Sequence, residues 1–180
     1  VATIDRFTDE GRGSGAYFEA WGEARSAIRE RYASVLGAQP GEVALTTGTS
    51  EGLVRVLTGL DLQPGDEILT AEHEHPGLLG PLSAARRLLG VTVREVRLQS
   101  IADAAGPHTR LIACSHVAWT TGELAPPVPE GIPVLLDGAQ GVGAVPVDVH
   151  ALGCDFYAGP GQKWLCGPDG LGMLWIAPDQ

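Results

Sequence analysis

An aspartate at the end of an apolar run and a lysine set among glycines are the residues of this sequence best suited to chemistry. Val134-Leu-Leu136 leads into Asp137-Gly-Ala-Gln140, and Tyr157-Ala-Gly-Pro-Gly-Gln-Lys163-Trp164 follows about one βαβ unit later. The apolar run predicts a buried strand, which would bring the Asp137 carboxylate to the carboxyl edge of a sheet, where open α/β folds bind ligands. Lys163 is expected at the same edge. An acid and an amine so placed could hold two ends of one cofactor, with Asp137 facing a pyridinium nitrogen and Lys163 joined to an aldehyde as a Schiff base. Taken singly, Asp137 could be a strand-end cap and Lys163 a surface lysine.

The elements that must position this pair are legible in order. Residues 1–13 read as an irregular lead-in. From Ser14, a hydroxyl suited to an N-cap, a helical period runs through Trp21, Ala24, Ile28, Tyr32 and Val35 to Gly37. A short strand, Val43-Ala-Leu-Thr46, precedes Thr47-Gly-Thr-Ser-Glu-Gly52, and Leu53, Val54 and Leu57 then fall at helical spacing. A glycine-hydroxyl turn between strand and helix offers N–H groups, hydroxyls and a positive dipole end to a phosphate, or serves as a plain N-cap. It lacks the lysine of a P-loop, so nucleoside triphosphates are not implied.

A strand over Glu67–Thr70 leads to Glu72-His-Glu-His75, and Pro76 opens a helix with Leu78, Leu79, Leu82, Ala85 and Leu89 on its apolar side. Thr92–Leu98 alternates in polarity, as an edge strand would. A short helix and loop are expected at Ser100–Pro107, a buried strand at Arg110–Ser115, and a surface connection through Pro126, Pro127, Pro129 and Pro133. Gly138–Leu152 predicts a loop with a short helix, Cys154–Tyr157 a strand, and Leu171–Ile176 a last strand. Alternating strands and helices without repeats indicate a three-layer α/β/α sandwich around a mostly parallel sheet. Thr47–Ser50, His75, Trp119–Thr121 and Asp137–Gln140 would then converge on one crevice.

Composition narrows the function. A chain of 180 residues suits one domain, able to bury roughly 70% of its unfolded surface. Apolar content of 44% with 25 glycines and 13 prolines describes a globular protein rich in tight turns. A formal net charge of -10 argues against nucleic acid as a partner. No apolar run approaches the roughly 20 residues needed to cross a bilayer, so no membrane partner is expected. Cys114, Cys154 and Cys166 are odd in number and widely spaced, which points to a reducing compartment, the cytoplasm by default. Cys114 and Cys154 read as core residues. His73 and His75 could share one side of an extended segment with Cys114 or His116, but no known ligand spacing is completed and no metal is expected. With no initiator Met, the sequence reads as part of a longer protein.

Gly-Thr-Ser-Glu-Gly52, Glu74-His75, His116-Val-Ala-Trp-Thr-Thr-Gly122, Asp137-Gly-Ala-Gln140 and Gly161-Gln-Lys163 together resemble the class V aminotransferase family. That family includes cysteine desulfurases and isopenicillin N epimerase-like enzymes of fold type I pyridoxal-phosphate (PLP) architecture. The resemblance runs from about residue 14 to the end and implies a PLP-dependent enzyme of amino acid metabolism, a transferase or lyase. It implies that the chain is the large, cofactor-binding domain, with a small C-terminal domain elsewhere. Lys163 would form the Schiff base and move protons at the substrate Cα. Asp137 would keep the pyridine nitrogen protonated, and Gln140 would bond the ring's phenolic oxygen. His75 would stack on the ring face; Thr49 and Ser50 would cradle the phosphate, with Gln162 donating a further bond.

Two positions depart from the desulfurase pattern. Pro160-Gly-Gln162-Lys163 replaces Ser-Gly-His-Lys, so Pro160 brings no hydroxyl. Trp119 enters the cofactor site where desulfurases carry an asparagine, which favours another branch: transamination, Cα epimerisation, or cleavage at Cβ or a C–S bond, with a cysteine desulfurase proper as the alternative. The expected partners are a small amino-acid substrate and a second copy of the full-length chain. A reading of another class takes Gly138-Ala-Gln-Gly141-Val-Gly143 as a dinucleotide-binding loop, although its glycine order misses the Rossmann fingerprint. A third keeps the fold without catalysis.

Overall fold

The computed structural model describes residues 5, 7–9, 11–128 and 131–180. Residues 1–4, 6 and 10 of the lead-in, and Pro129 in the proline-rich connection, fall outside them, and the described residues 5 and 7–9 are helical rather than irregular. Helix α1 (Gly15–Leu36) begins where the Ser14 side chain accepts the Tyr17 N–H and ends at Gly37, in the left-handed conformation at φ 70. β1 (Val43–Thr46) passes through the glycine-hydroxyl turn into α2 (Thr49–Gly59). β2 (Glu67–Ala71), α3 (Pro76–Leu89), β3 (Thr92–Val96) and the short α4 (Ile101–Ala104) follow. β4 (Thr109–Ser115), β5 (Val134–Asp137), β6 (Phe156–Pro160) and β7 (Gly172–Ile176) complete the chain.

These strands form one seven-stranded sheet in the order β1-β7-β6-β5-β4-β2-β3. The pairings β2–β3, β2–β4, β4–β5 and β5–β6 are parallel, and β7 runs antiparallel to both β1 and β6. Every strand but β7 therefore points the same way. The ends of β1, β2, β4, β5 and β6 and the start of β7 share one edge. Strand alternation sorts the core onto two faces. Ile68, Leu111, Ala113, Leu135, Phe156 and Ala158 meet α2 and α3, while Leu69, Ile112, Cys114, Leu136, Tyr157 and Trp175 meet the end of α1, α4 and the 142–154 segment. This is the expected three-layer sandwich, with β3 at the expected edge.

Several expectations are corrected. In α1 the packed residues are Tyr32, Ala33 and Leu36, with Ile28 beside them, whereas Trp21, Ala24 and Val35 are exposed. The helix docks through its last turns only, so a stripe read along its full length overstates the buried face. In α2 Val54 is exposed and Val56 is buried in its stead. No helix forms in 138–152: turns and a Val142–Val145 bridge fill that span. β6 begins at Phe156 rather than Cys154 and runs on to Pro160, and just before it the Asp155 side chain accepts the Val134 N–H at 2.8 Å.

Where β7 starts, backbone meets backbone. A Cβ on Gly172 would stand 2.6 Å from Gly48 Cα and 2.8 Å from Gly48 N, so the turn before α2 rests directly on a glycine. Gly172→Ala is expected to destabilise by about 1–3 kcal/mol through overpacking. Gly22→Ala, on a half-exposed turn of α1 with nothing within 4 Å, is expected to stabilise by about 0.5–1 kcal/mol. Thermal unfolding of the two variants followed by circular dichroism checks the opposite signs.

Candidate active site

Strand ends at the shared edge enclose a cavity of about 310 Å³ bordered by Gly48, Thr49, Ser50, His75, Asp137, Ala139, Pro160, Gln162 and Lys163. Its volume is at the lower end of small-molecule sites, and it lies at the carboxyl ends of parallel strands, the usual location for α/β ligands. A larger cavity of about 690 Å³ lies at the opposite sheet edge, between the start of β1 and the end of β7. Arg29 and Glu42 are the charged residues that border it, and none of the candidate chemistry reaches it. The smaller cavity is the chemically equipped one. Asp137 and Lys163 both border it.

Asp137 ends β5 with about 4% exposure. Burial raises its pKa, while the Ala139 N–H bonded to Oδ1 at 2.9 Å and the charges of Lys163 and His75 pull it down. A second buried acid stands near it. Glu74 Oε1 accepts the Ser115 N–H at 2.7 Å, and Oε2 takes the Ser115 hydroxyl. Burial and the Asp137 charge both push the Glu74 carboxyl upward, against its bonds to Ser115. Ser115 lies directly opposite Asp137 in the β4–β5 register, so Glu74 ties the loop that carries His75 to the strand beside Asp137.

His75 caps α3, its Nδ1 accepting the Gly77 N–H at 2.9 Å, which puts the ring proton on Nε2. The Trp119 indole meets it edge to face at 5.3 Å and donates to the His73 carbonyl at 2.8 Å. Trp119 thus backs His75 from outside the cavity lining, and Thr120 and Thr121 border a different groove. The Ser50 hydroxyl donates to the Gly77 carbonyl at 3.1 Å. Pro81, four residues on, has no N–H for that carbonyl, so the proline in α3 frees the acceptor that Ser50 takes. Ser50 therefore reaches the cavity with its proton engaged, leaving its backbone N–H, with that of Thr49, at the first turn of α2. Glu51 closes the turn from below, its Oε2 accepting the Thr47 N–H at 2.7 Å and its Oε1 paired with Arg55. The Thr47 hydroxyl first, then the Thr47 N–H and Arg55, hold its carboxyl down at about 2.

Gln140 does not border the cavity. Its Oε1 accepts the Trp164 indole N–H at 2.8 Å. His116 Nδ1 and Tyr157 Oη meet at 3.0 Å; Tyr157 crowds Gly138, and the two together crowd Gly141, so closely that neither glycine could carry a Cβ. The loop after Asp137 is therefore shaped by a buried tyrosine and histidine. Glu74, Ser115, His116 and Tyr157 were not among the residues anticipated for the site. Polar residues at strand ends in a sequence do not reveal which face they turn to.

A family model, Aminotransferase class-V, matches residues 9–180. The chain belongs to the class-V aminotransferase family. It is 35% identical over 173 residues to an isopenicillin N epimerase of Amycolatopsis lactamdurans, covering 84% of this chain and 44% of that protein. To a cysteine desulfurase of Yersinia pseudotuberculosis it is 34% identical over 168 residues, covering 83% and 41%. It superposes with TM-score 0.91 and 31% identity on a mutant of C-DES that holds glycine covalently linked to its PLP cofactor, covering 99% of this chain and 52% of the other. The chain thus spans about half the length of the relatives it matches.

The class-V family is PLP-dependent, and the cavity fits that group by its donor set. Free N–H groups at the first turn of α2 suit a phosphate. A buried carboxylate with an oxygen beyond the Ala139 bond suits a cationic ring nitrogen, and the exposed Lys163 suits an aldehyde. The dinucleotide alternative loses its basis, since no helix follows Gly138–Gly143 to present an N-terminus.

Proposed function

We propose that residues 1–180 are the PLP-binding large domain of an enzyme that acts on an amino acid. The observation that supports this most is that Asp137 and Lys163, from consecutive strand ends, border one cavity with His75 and the α2 N-terminus. When bound, PLP supplies an aldehyde that joins an amine and a ring that draws electrons from a broken Cα bond. The residues of this chain supply the rest. Asp137, kept from water, would hold the ring-nitrogen proton by charge, and His75 would offer its imidazole face to the ring. Thr49 and Ser50 N–H groups, with Gln162, receive the phosphate. Lys163 Nζ takes a proton from the substrate Cα and returns it.

The reaction is transamination, epimerisation at Cα, or cleavage at Cβ or a C–S bond. Trp119 beside His75 favours these over desulfuration proper; the similarity to a cysteine desulfurase keeps that as the second reading. The substrate carboxylate is met by a residue of the full-length protein outside this chain, which acts as a homodimer. Among the described residues no helix is long and apolar enough to cross a membrane, and the three cysteines are unpaired, as a cytoplasmic protein would have them.

The test is optical and covalent. Full-length protein mixed with PLP is expected to turn yellow, and borohydride should bleach the band and leave a pyridoxyl mass on the peptide holding Lys163. A colourless mixture, or a label on another residue, overturns the proposal. Proton exchange at the substrate Cα in deuterated water without sulfide release then separates epimerase or transaminase chemistry from desulfuration.

A further inference from the structure

We infer that Trp119 is a positioning residue for His75: its indole holds the loop before α3 in the backbone shape that brings the imidazole to the cavity. The consequence for cofactor binding rests on the PLP reading. His73, a non-glycine residue, lies in the left-handed region at φ 63, where a Cβ crowds the backbone and the conformation persists only if its surroundings hold it. The hold is the Trp119 indole, which donates to the His73 carbonyl at 2.8 Å from 46 residues along the chain. An indole N–H is a donor only, and a phenylalanine in its place could fill the space but not make the bond.

The same ring reaches past Glu74 to His75, meeting the imidazole at 5.3 Å and 88°. His75 borders the cavity and Trp119 does not, so the indole stands against one side of the imidazole while the cavity opens on another. The loop has other anchors. Glu72 N–H donates to Val96 O at 2.7 Å, Glu74 is bonded to Ser115, and His75 Nδ1 takes the Gly77 N–H. Four successive residues are thus held from four places, and the hold on His73 is the one that meets a left-handed backbone. Trp119 is itself fixed, on a turn closed by Ala118 N–H to Glu123 O and Gly122 N–H to Ala118 O, both at 2.8 Å, with Gly122 at φ 77.

The bond from the Gly77 N–H to His75 Nδ1 reports where the imidazole sits. In the cofactor-free full-length protein, Trp119→Phe should speed hydrogen exchange at the Gly77 amide about tenfold, the size of one lost hydrogen bond. Trp119→Leu, which removes the aromatic ring as well, should speed it further. Adding His73→Gly to Trp119→Phe should slow exchange again, because glycine takes the left-handed conformation without being held. A tryptophan that merely filled space would show no such rescue. With PLP added and its visible band titrated, Trp119→Phe should bind the cofactor about tenfold more weakly, and the double variant should recover. One readout needs no variant: in wild type the His73 carbonyl should protect the Trp119 indole proton from exchange. Unprotected indole exchange, Gly77 exchange unchanged in Trp119→Phe, no recovery on adding His73→Gly, or an unchanged PLP affinity overturns the inference. A wild-type protein with no visible band instead sinks the PLP reading, and the exchange rates then decide the role of Trp119 in the loop by themselves.

Discussion

Lys163→Ala should leave a folded protein that no longer processes its amino acid. The lysine ammonium is exposed and the loop is closed by backbone bonds that alanine keeps, namely Cys166 N–H to Lys163 O and Gly167 N–H to Gly161 O. Stability should therefore change by less than about 0.5 kcal/mol, as for other surface substitutions away from special features. Catalysis has no such cushion. Among the described residues His75 is not a ready second base for a proton at Cα, since it spends Nδ1 on the Gly77 N–H and keeps its proton on Nε2. Removing a positioned proton carrier costs about 10²–10⁴-fold, and under the proposed function the upper end is expected, because the same amine would also tether the cofactor. Steady-state turnover beside a thermal melt decides it. A melt lowered by many degrees would make the lysine structural, and turnover within tenfold of wild type would remove it from the chemistry.

How much of this was legible beforehand depended on whether the signal was local. Ser14 and Gly37 capped α1 as read, because caps are made within a few residues of themselves. The strand ends carrying Asp137 and His75, and the lysine loop, followed from apolar runs bounded by glycine and proline. What failed was the face on which a side chain lands. Trp21 and Val35 share a helical stripe with Tyr32 yet stay exposed, because α1 meets the sheet only at its end. Gln140 and Trp119 look like cavity residues in the sequence, but one is turned to Trp164 and the other backs His75. Glu74 reads as a loop acid and is buried at Ser115, 41 residues on, because β2 and β4 are neighbours, a pairing that no local pattern encodes. The antiparallel β7 was likewise invisible, since strand direction is fixed by the short return from Pro160 to Gly172.

Asp137→Asn should separate stability from function. In the cofactor-free protein the carboxyl is buried with its pKa raised, so it binds a proton more readily folded than unfolded. Such a group contributes stability that is fully present below the unfolded value and lost as pH rises through the raised one. Near neutral pH and above, the ionised, buried carboxylate is a net cost, eased by Ala139, Lys163 and His75 but aggravated by Glu74 next to it. Asparagine keeps an oxygen for the Ala139 N–H and removes the charge. The cofactor-free variant should therefore melt higher than wild type at alkaline pH by about 2–4 °C, for a gain near 1 kcal/mol, with the difference shrinking as pH falls. The PLP-loaded protein should respond the other way. Without an anion at the ring nitrogen a buried cation would lose its partner, which costs about 3–5 kcal/mol, or about 10²–10⁴-fold in turnover. Melting curves from acid to alkaline pH, with and without PLP, read both signs in one experiment. If asparagine lowers the alkaline melt of the cofactor-free protein, Asp137 is a structural cap; if turnover survives, the ring nitrogen does not depend on it.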